Sequence, residues 1–327
     1  MDEVSEGVNE VLLMSNNTDQ TTVVAEMKSS SAAEEETAAD KDVCTNCGIA
    51  GVDNIKLKIC DGCCDLVKYC SEKCRGEHRE QHHEECKRWV SKLHDKRLFT
   101  QPDISHLGEC PICFLPSPLG RGKSTFMECC GKTICNGCIV AHLENNKHDT
   151  VKASKCVFCR ASVLDKEEYE KRTQERIEAN DPVALCFTGT ECYNEGDYDK
   201  ALKYWTKAAE LGDAEAHFQL GNMYPKGEGV EKDEEKAIYH WEKAAIGGHP
   251  KARYNLACYE AKNGNMERAM KHWIVSANLG CGESMKMLLP IYQGGYITKE
   301  DYGTTLRAHQ AAIDATKSSQ RDNVPKR

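Results

Sequence analysis

The chain has 327 residues, a formal net charge of −9 and an isoelectric point of about 5.8, so it has no overall attraction for phosphates, and nucleic acid is disfavoured as a partner. It carries 20 cysteines, yet no apolar signal segment opens it and no run approaches the roughly 18 apolar residues of a membrane span. A secreted disulfide scaffold is disfavoured and no membrane contact is expected; the sequence reads as intracellular, cytoplasmic or nuclear, with its cysteines available for metal.

Residues 1–43 mix Ser, Thr, Asn, Ala, Glu and Asp with almost no aromatic side chain. Too little apolar surface is present to offset ordering entropy, so this segment is expected to be a disordered acidic tail. Beyond it, cysteine comes in pairs at C-x2-C spacing: Cys44/Cys47, Cys60/Cys63, Cys110/Cys113, Cys135/Cys138 and Cys156/Cys159. Thiolates so spaced lie on one side of a tight knuckle and can share one zinc at roughly 2.3 Å per bond.

Between residues 44 and 86 the candidate ligands are Cys44, Cys47, Cys60, Cys63, Cys70, Cys74, His82 and Cys86, enough for two closed tetrahedral sites. So short a segment buries little core, and metal must supply much of its folding energy, on the order of 10 kcal/mol per site. The run Lys68-Tyr69-Cys70-Ser71-x2-Cys74, with His82 and Cys86 after it, resembles a MYND-type zinc finger. The resemblance implies interleaved ligation, with Cys44, Cys47, Cys70 and Cys74 on one zinc and Cys60, Cys63, His82 and Cys86 on the other. It also implies binding of short proline-containing peptides. Arg79 stands where the family often has Trp, and Cys64 is an alternative to Cys63 as ligand. His78 and His83 read as solvent-facing.

From Lys87, the spacing of Trp89, Val90, Leu93, Leu98 and Phe99 predicts an amphipathic helix that ends before Gln101-Pro102. Residues 87–109 form a helical connector, expected to pack against one or both zinc modules.

A second cluster spans residues 110–160. Cys110-Pro111-Ile112-Cys113 opens it, Cys129-Cys130 and Cys135-x2-Cys138 occupy the middle, and Cys156-Val157-Phe158-Cys159-Arg160 closes it. In order and spacing this resembles a RING-type zinc finger. The resemblance implies crossed ligation: Cys110, Cys113, Cys135 and Cys138 on one ion, Cys129, Cys130, Cys156 and Cys159 on the other. Where the family commonly has a histidine, this chain has Lys132, which as an ammonium cannot ligate, so Cys129 takes that place; a water or His142 is the alternative. The family also implies a ubiquitin-conjugating enzyme as partner, contacted through Ile112 and Arg160. Guanidinium suits such bridging because its donors form a fixed fork. The competing reading has Ile112 covering its knuckle and Arg160 solvated.

A linker helix is expected over 161–180, and internal similarity follows over 181–315. Gly189, Gly221 and Ala257 correspond, as do Ala201-Leu202, Ala237-Ile238 and Ala269-Met270, and then Tyr204-Trp205, His240-Trp241 and His272-Trp273. Gly212, Gly248 and Gly280 close the units, 36 and then 32 residues apart. Small residues at fixed places let helices approach while Trp and Leu fill between them, so the segment predicts stacked helix pairs. The middle unit, with Leu220-Gly221-x2-Tyr224 and Gly227-x-Gly229-Val230, resembles Sel-like repeats of the tetratricopeptide type. A degenerate fourth unit from Cys281, containing Pro290, caps the stack with a final helix over Thr304–Ala315. Cys186, Cys192, Cys258 and Cys281 lack knuckle spacing and read as buried small hydrophobes. Residues 316–327 are expected to be a disordered tail.

The expected fold is thus a pair of small zinc-stabilised α+β modules followed by an all-α helical-repeat solenoid, with four zinc ions. Its expected function is that of an interaction scaffold. As a RING-type ubiquitin ligase it would recruit a conjugating enzyme and hold its thioester in place, with no catalytic residue of its own, and choose protein or peptide substrates through the repeats and first finger. As a non-catalytic adaptor it would only assemble other proteins.

Overall fold

The computed structural model describes residues 90–120, 122–162 and 166–324, the two-residue strands β1 (Lys58–Ile59) and β2 (Lys68–Tyr69), and the single residues Lys73 and Arg88. The chain divides into two compact units between Leu98 and Phe99. In the first, β1 and β2 pair antiparallel, Lys58 opposite Tyr69. The eight candidate ligands of the first module, and the tail 1–43, lie outside the described residues. Helix α1 occupies residues 90–99 and stops ahead of Pro102, as the restriction on residues before proline requires.

The second unit opens with a strap, residues 99–108, that lies on the helical repeats. Phe99 meets the ring of His272 at 4.6 Å, Arg253 donates to the Thr100 carbonyl at 3.1 Å, and the His106 N–H reaches the Gly248 carbonyl at 3.1 Å. The connector's second half therefore lies on the repeats, and its end also meets the second cysteine module as the sequence suggested, the Ser117 N–H donating to the Gly108 carbonyl at 2.8 Å and Glu109 bridging to Pro116.

The cysteine module follows. Strands β3 (Ser124–Met127) and β4 (Lys132–Cys135) form an antiparallel hairpin with Phe126 opposite Thr133, and helices α2 (Asn136–Asn145) and α3 (Thr150–Ala153) complete it. Cys110, Ile134, Cys135 and Cys138 are its buried centre, with Ile112, Met127, Ile139 and Val157 packed around them. Helix α4 (Lys166–Glu178) leads out of the module. Its Arg176 donates to the Glu128 carbonyl and to Asp181, tying module to repeats.

The solenoid pairs α5 (Pro182–Asn194) with α6 (Tyr198–Glu210), α7 (Ala214–Lys226) with α8 (Glu234–Ile246), and α9 (Pro250–Lys262) with α10 (Met266–Asn278). A fourth pair, α11 (Gly282–Gln293) and α12 (Lys299–Ala315), ends it. Helix α12 starts at Lys299, earlier than the expected Thr304, because the Thr298 hydroxyl caps it by accepting from the Asp301 N–H at 3.0 Å. Asp181, Asp197, Asp213 and Asp233 cap α5 to α8 in the same manner, each accepting a first-turn backbone N–H. Of the cysteines among these helices, Cys186 and Cys281 are buried, while Cys192 and Cys258 are half-buried. No described helix is long and apolar enough to cross a membrane.

The C-terminal tail also differs from expectation. Ser319–Asp322 forms a further helical turn, α13, capped by Ser318 and packed against α2 of the cysteine module.

Within each repeat the constraint is close approach. A Cβ at Gly189 would lie 2.7 Å from the Trp205 ring, and one at Gly221 only 2.4 Å from Trp241. Gly189→Ala and Gly221→Ala are each expected to cost about 1–3 kcal/mol through overpacking, offset only slightly by better helix propensity. Gly282→Ala, at a position with open space, should be neutral or mildly stabilising. Thermal unfolding of the three variants checks the ranking.

Candidate metal centres

Two short turns build the outer ends of the cysteine module in the same way. The Phe114 N–H returns to the Cys110 carbonyl at 2.9 Å, and the Arg160 N–H to the Cys156 carbonyl at 2.9 Å. Both turns are closed one step further out, by Cys110 N–H to the Leu115 carbonyl at 3.0 Å and Cys156 N–H to the Ala161 carbonyl at 2.7 Å. To complete each knuckle, Phe114 (φ 55°) and Arg160 (φ 64°) adopt the left-handed region, which is costly for residues with a Cβ. Gly131 (φ 65°) supplies the same bend after Cys130 without that cost.

The hairpin explains why the ligand groups cross. Cys129 and Cys130 sit at its turn, and Cys135 sits at the far end of β4. A strand of that length separates them by roughly 13 Å at about 3.3 Å per residue, too far to share an ion. Cys135 and Cys138 instead meet the first knuckle, and Cys129 and Cys130 meet the last.

The structure accordingly gathers Cys110, Cys113, Cys135 and Cys138 with their Sγ atoms within 4.8 Å of one another, and likewise Cys129, Cys130, Cys156 and Cys159. Individual Sγ–Sγ separations are 3.9 Å for Cys110–Cys138, 3.8 Å for Cys113–Cys135, 4.0 Å for Cys130–Cys156 and 3.4 Å for Cys129–Cys159. A tetrahedron with 2.3 Å metal–sulfur bonds has edges of about 3.8 Å, so both donor sets fit a thiophilic divalent ion. Lys132 is exposed, and His142 reaches the Lys152 carbonyl at 3.1 Å; neither joins a cluster. Ile112 is half-buried against the module's centre, and Arg160 is exposed.

The electrostatics point the same way. Burial, then the neighbouring thiols, push Cys138 and Cys129 well above the usual range, and Cys130 is pushed up to about 11. Cys110 is held at about 6, because backbone N–H groups of Cys113, Cys135 and Ile112 outweigh the burial that would raise it. Cys156 is lowered too, backbone N–H groups of Cys159 and Phe158 overcoming burial. The first cluster thus favours the Cys110 thiolate and resists those of Cys135 and Cys138, and the second favours Cys156 and resists Cys129 and Cys130, a balance that a dication would reverse.

A third group, His106, Glu215 and His249, is equally close but does not fit a metal. The His249 Nδ1 caps α9 by accepting the Ala252 N–H at 3.2 Å, so its neutral ring carries the proton on Nε2 and donates it to Glu215 at 3.1 Å. No lone pair remains on that nitrogen for an ion. His106 bonds the same carboxylate at 3.2 Å, and its buried Nδ1 has no acceptor among the described residues, whereas ligating histidines usually donate their second N–H. This group is a hydrogen-bonded latch that pins the strap to the repeats. No short sequence spacing announces it, nor the left-handed residues that finish the knuckles.

With the fold and site in view, the protein is a helical-repeat protein carrying a cysteine-rich module. The repeats are Sel1 repeats: the family described as the Sel1 repeat matches residues 182–213, 214–249 and 250–281. Two sequences from Helicobacter pylori strains, named "Putative beta-lactamase HcpC", are 42% identical over 52 and 53 residues. Each match covers 16% of this chain and 18% of the relative, so the chain spans less than a fifth of those relatives' length. Among solved structures, a Sel1 repeat protein from Oxalobacter formigenes is similar at 24% identity with a TM-score of 0.40, over 54% of this chain and 72% of that one. A protective antigen of uropathogenic Escherichia coli strains displaying an SLR fold is similar at 18% identity with a TM-score of 0.36, over 58% and 44%. Stacked repeats of this kind present extended surfaces for binding proteins.

Several repeat histidines are held neutral. Burial drives His249 and His240 down to about 4 and His272 to about 3, and lowers His217 as well. Unfolded histidines titrate near 6.5, so on acidification the unfolded chain takes up protons first and stability falls from about pH 6.5 downward. Glu215 adds a loss below about pH 4.5, because although burial raises it, the bonds from His106 and His249 hold it far below the carboxylate range. The unfolding midpoint of the repeats is expected to be level between about pH 7 and 8 and to drop steadily toward pH 5. His272→Leu removes a buried ring with no hydrogen-bond partner among the described residues and should shallow that slope, which a pH series of thermal melts measures.

Proposed function

We propose that this protein is a zinc-dependent interaction scaffold whose RING-like module recruits a ubiquitin-conjugating enzyme while the Sel1 repeats hold the protein to be modified. The observation that carries this reading is the pair of crossed four-cysteine clusters on the same compact unit as the repeats. Zinc is the ion the donor sets favour, since all-sulfur tetrahedra select it over the hard cations. When bound it supplies folding energy and holds the knuckles; four sulfur ligands leave no open position for a reacting group.

The chain's own residues would then do the docking. Phe114 and Phe158, both exposed, project from the two knuckles, giving the module apolar side chains to offer a partner. Arg160, two residues after Phe158, is exposed, and its guanidinium would hydrogen-bond a docked enzyme and its ubiquitin. Transfer would be positioning of a charged thioester, with no covalent intermediate on this chain. The 44–86 module, as a MYND-like finger with two further zinc ions, would add a second peptide-binding element.

A non-catalytic adaptor is the second reading, and one observation favours it. Ile112 is half-buried against its own knuckle, where it serves the module's packing as well as it could serve a partner.

Discharge of ubiquitin from a panel of charged conjugating enzymes separates the two. The ligase reading predicts acceleration that Ile112→Ala and Arg160→Gly each reduce by on the order of tenfold with zinc content unchanged. Glycine is chosen at position 160 because the left-handed backbone there accepts it without strain. Absence of acceleration across a broad panel with the zinc-loaded protein would establish the adaptor.

A further inference from the structure

The C-terminal turn α13 meets the cysteine module at one ligand of the first cluster. Arg321 lies 208 residues beyond Cys113, and its Nη2 is 3.2 Å from the Cys113 Sγ. The same nitrogen donates to the Leu115 carbonyl at 3.2 Å, and Nη1 donates to the carbonyls of Pro116 and Thr316, each at 2.7 Å. Both terminal nitrogens of the guanidinium are therefore committed, three of the four bonds to the knuckle that carries Cys113. Beside it the Gln320 Oε1, an acceptor, lies 4.0 Å from the Cys138 Sγ, so a second residue of the turn faces the same cluster.

The seat for this turn is shaped for it. A Cβ at Gly137 would lie 2.7 Å from the Arg321 Cγ and 2.8 Å from its Cα and backbone nitrogen. Only the absence of a side chain in the first turn of α2 lets the C-terminal backbone come so near. The Ser318 hydroxyl accepts from the Arg321 N–H at 3.3 Å and fixes the approach.

We propose that Arg321 is a positioning residue of the first metal site, donating an N–H to the Cys113 thiolate and so retaining the ion. The inference rests on the metal reading of the Cys110–Cys113–Cys135–Cys138 cluster. Four thiolates around one dication leave two net negative charges in a largely buried setting. A charge-assisted N–H···S bond from guanidinium offsets part of that charge and holds the Cys113 sulfur in its ligating position. Lysine brings the charge but not the fork, and cannot hold three carbonyls and a sulfur at once. The C-terminal segment is on this account a working part of the metal module.

The test is zinc transfer from the intact, zinc-loaded chain to excess 4-(2-pyridylazo)resorcinol at neutral pH. In Arg321→Ala one ion is expected to leave about tenfold faster while the remainder keep the wild-type rate, with Arg321→Lys between the two. Gly137→Ala, which closes the seat, should reproduce Arg321→Ala. With Co2+ in place of zinc, the sulfur-to-metal charge-transfer absorption of Arg321→Ala should move to longer wavelength, since its thiolate has lost a hydrogen bond; mere loosening of the tail would not shift it. Release at the wild-type rate, or faster release of every ion together, would overturn the assignment. A wild-type chain with zinc at 44–86 but none on the later cysteines would instead overturn the metal reading on which it stands.

Discussion

Four cysteine sulfurs within 4.8 Å of one another repel as soon as more than one ionises, and burial of Cys110, Cys135 and Cys138 adds to the cost. The module built on them has little else to hold it: a hairpin of two four-residue strands, two short helices and a centre of Ile134 and the cysteines with a few half-buried apolar side chains around it. A segment of that size does not bury enough apolar surface to fold on the hydrophobic effect alone. A dication at each cluster would turn the repulsion into the module's main cohesive interaction and would restrain the strained left-handed residues at Phe114 and Arg160.

Around this module the chain is drawn tight by contacts distant in sequence. Arg176 of α4 bridges the Glu128 carbonyl and Asp181, the strap 99–108 lies along the repeats through the His106–Glu215–His249 latch, and Arg321 returns from the end of the solenoid to the first knuckle. On the proposed ligase reading this fixity would matter, because positioning would be the only catalysis such an arrangement could offer. The repeats would supply one binding surface and the cysteine module a second, differently shaped one.

Much of this was legible in the sequence for physical reasons. The repeats show because Gly189 and Gly221 must be small where Trp205 and Trp241 cross, which imposes a spacing on the chain. The cysteine pairs show because two thiolates on one ion fix a short local turn. The aspartates that cap α5 to α8 fix the helix starts, which the repeat spacing alone leaves open. What stayed hidden were partners chosen by tertiary packing. Nothing near Arg321 marks it as other than one more basic residue in a polar tail, and His106 finds Glu215 only because the repeats bring that carboxylate to the strap. Periodicity identifies elements, whereas contacts across a hundred residues or more leave no local trace.

The most direct test of the account is the metal content of the purified full-length chain, measured by elemental analysis alongside protein concentration. The two four-cysteine clusters of the described module, together with the two sites expected from residues 44–86, predict four zinc ions per chain. Two or fewer would contradict the account, because at least one module would then be folding by something other than metal.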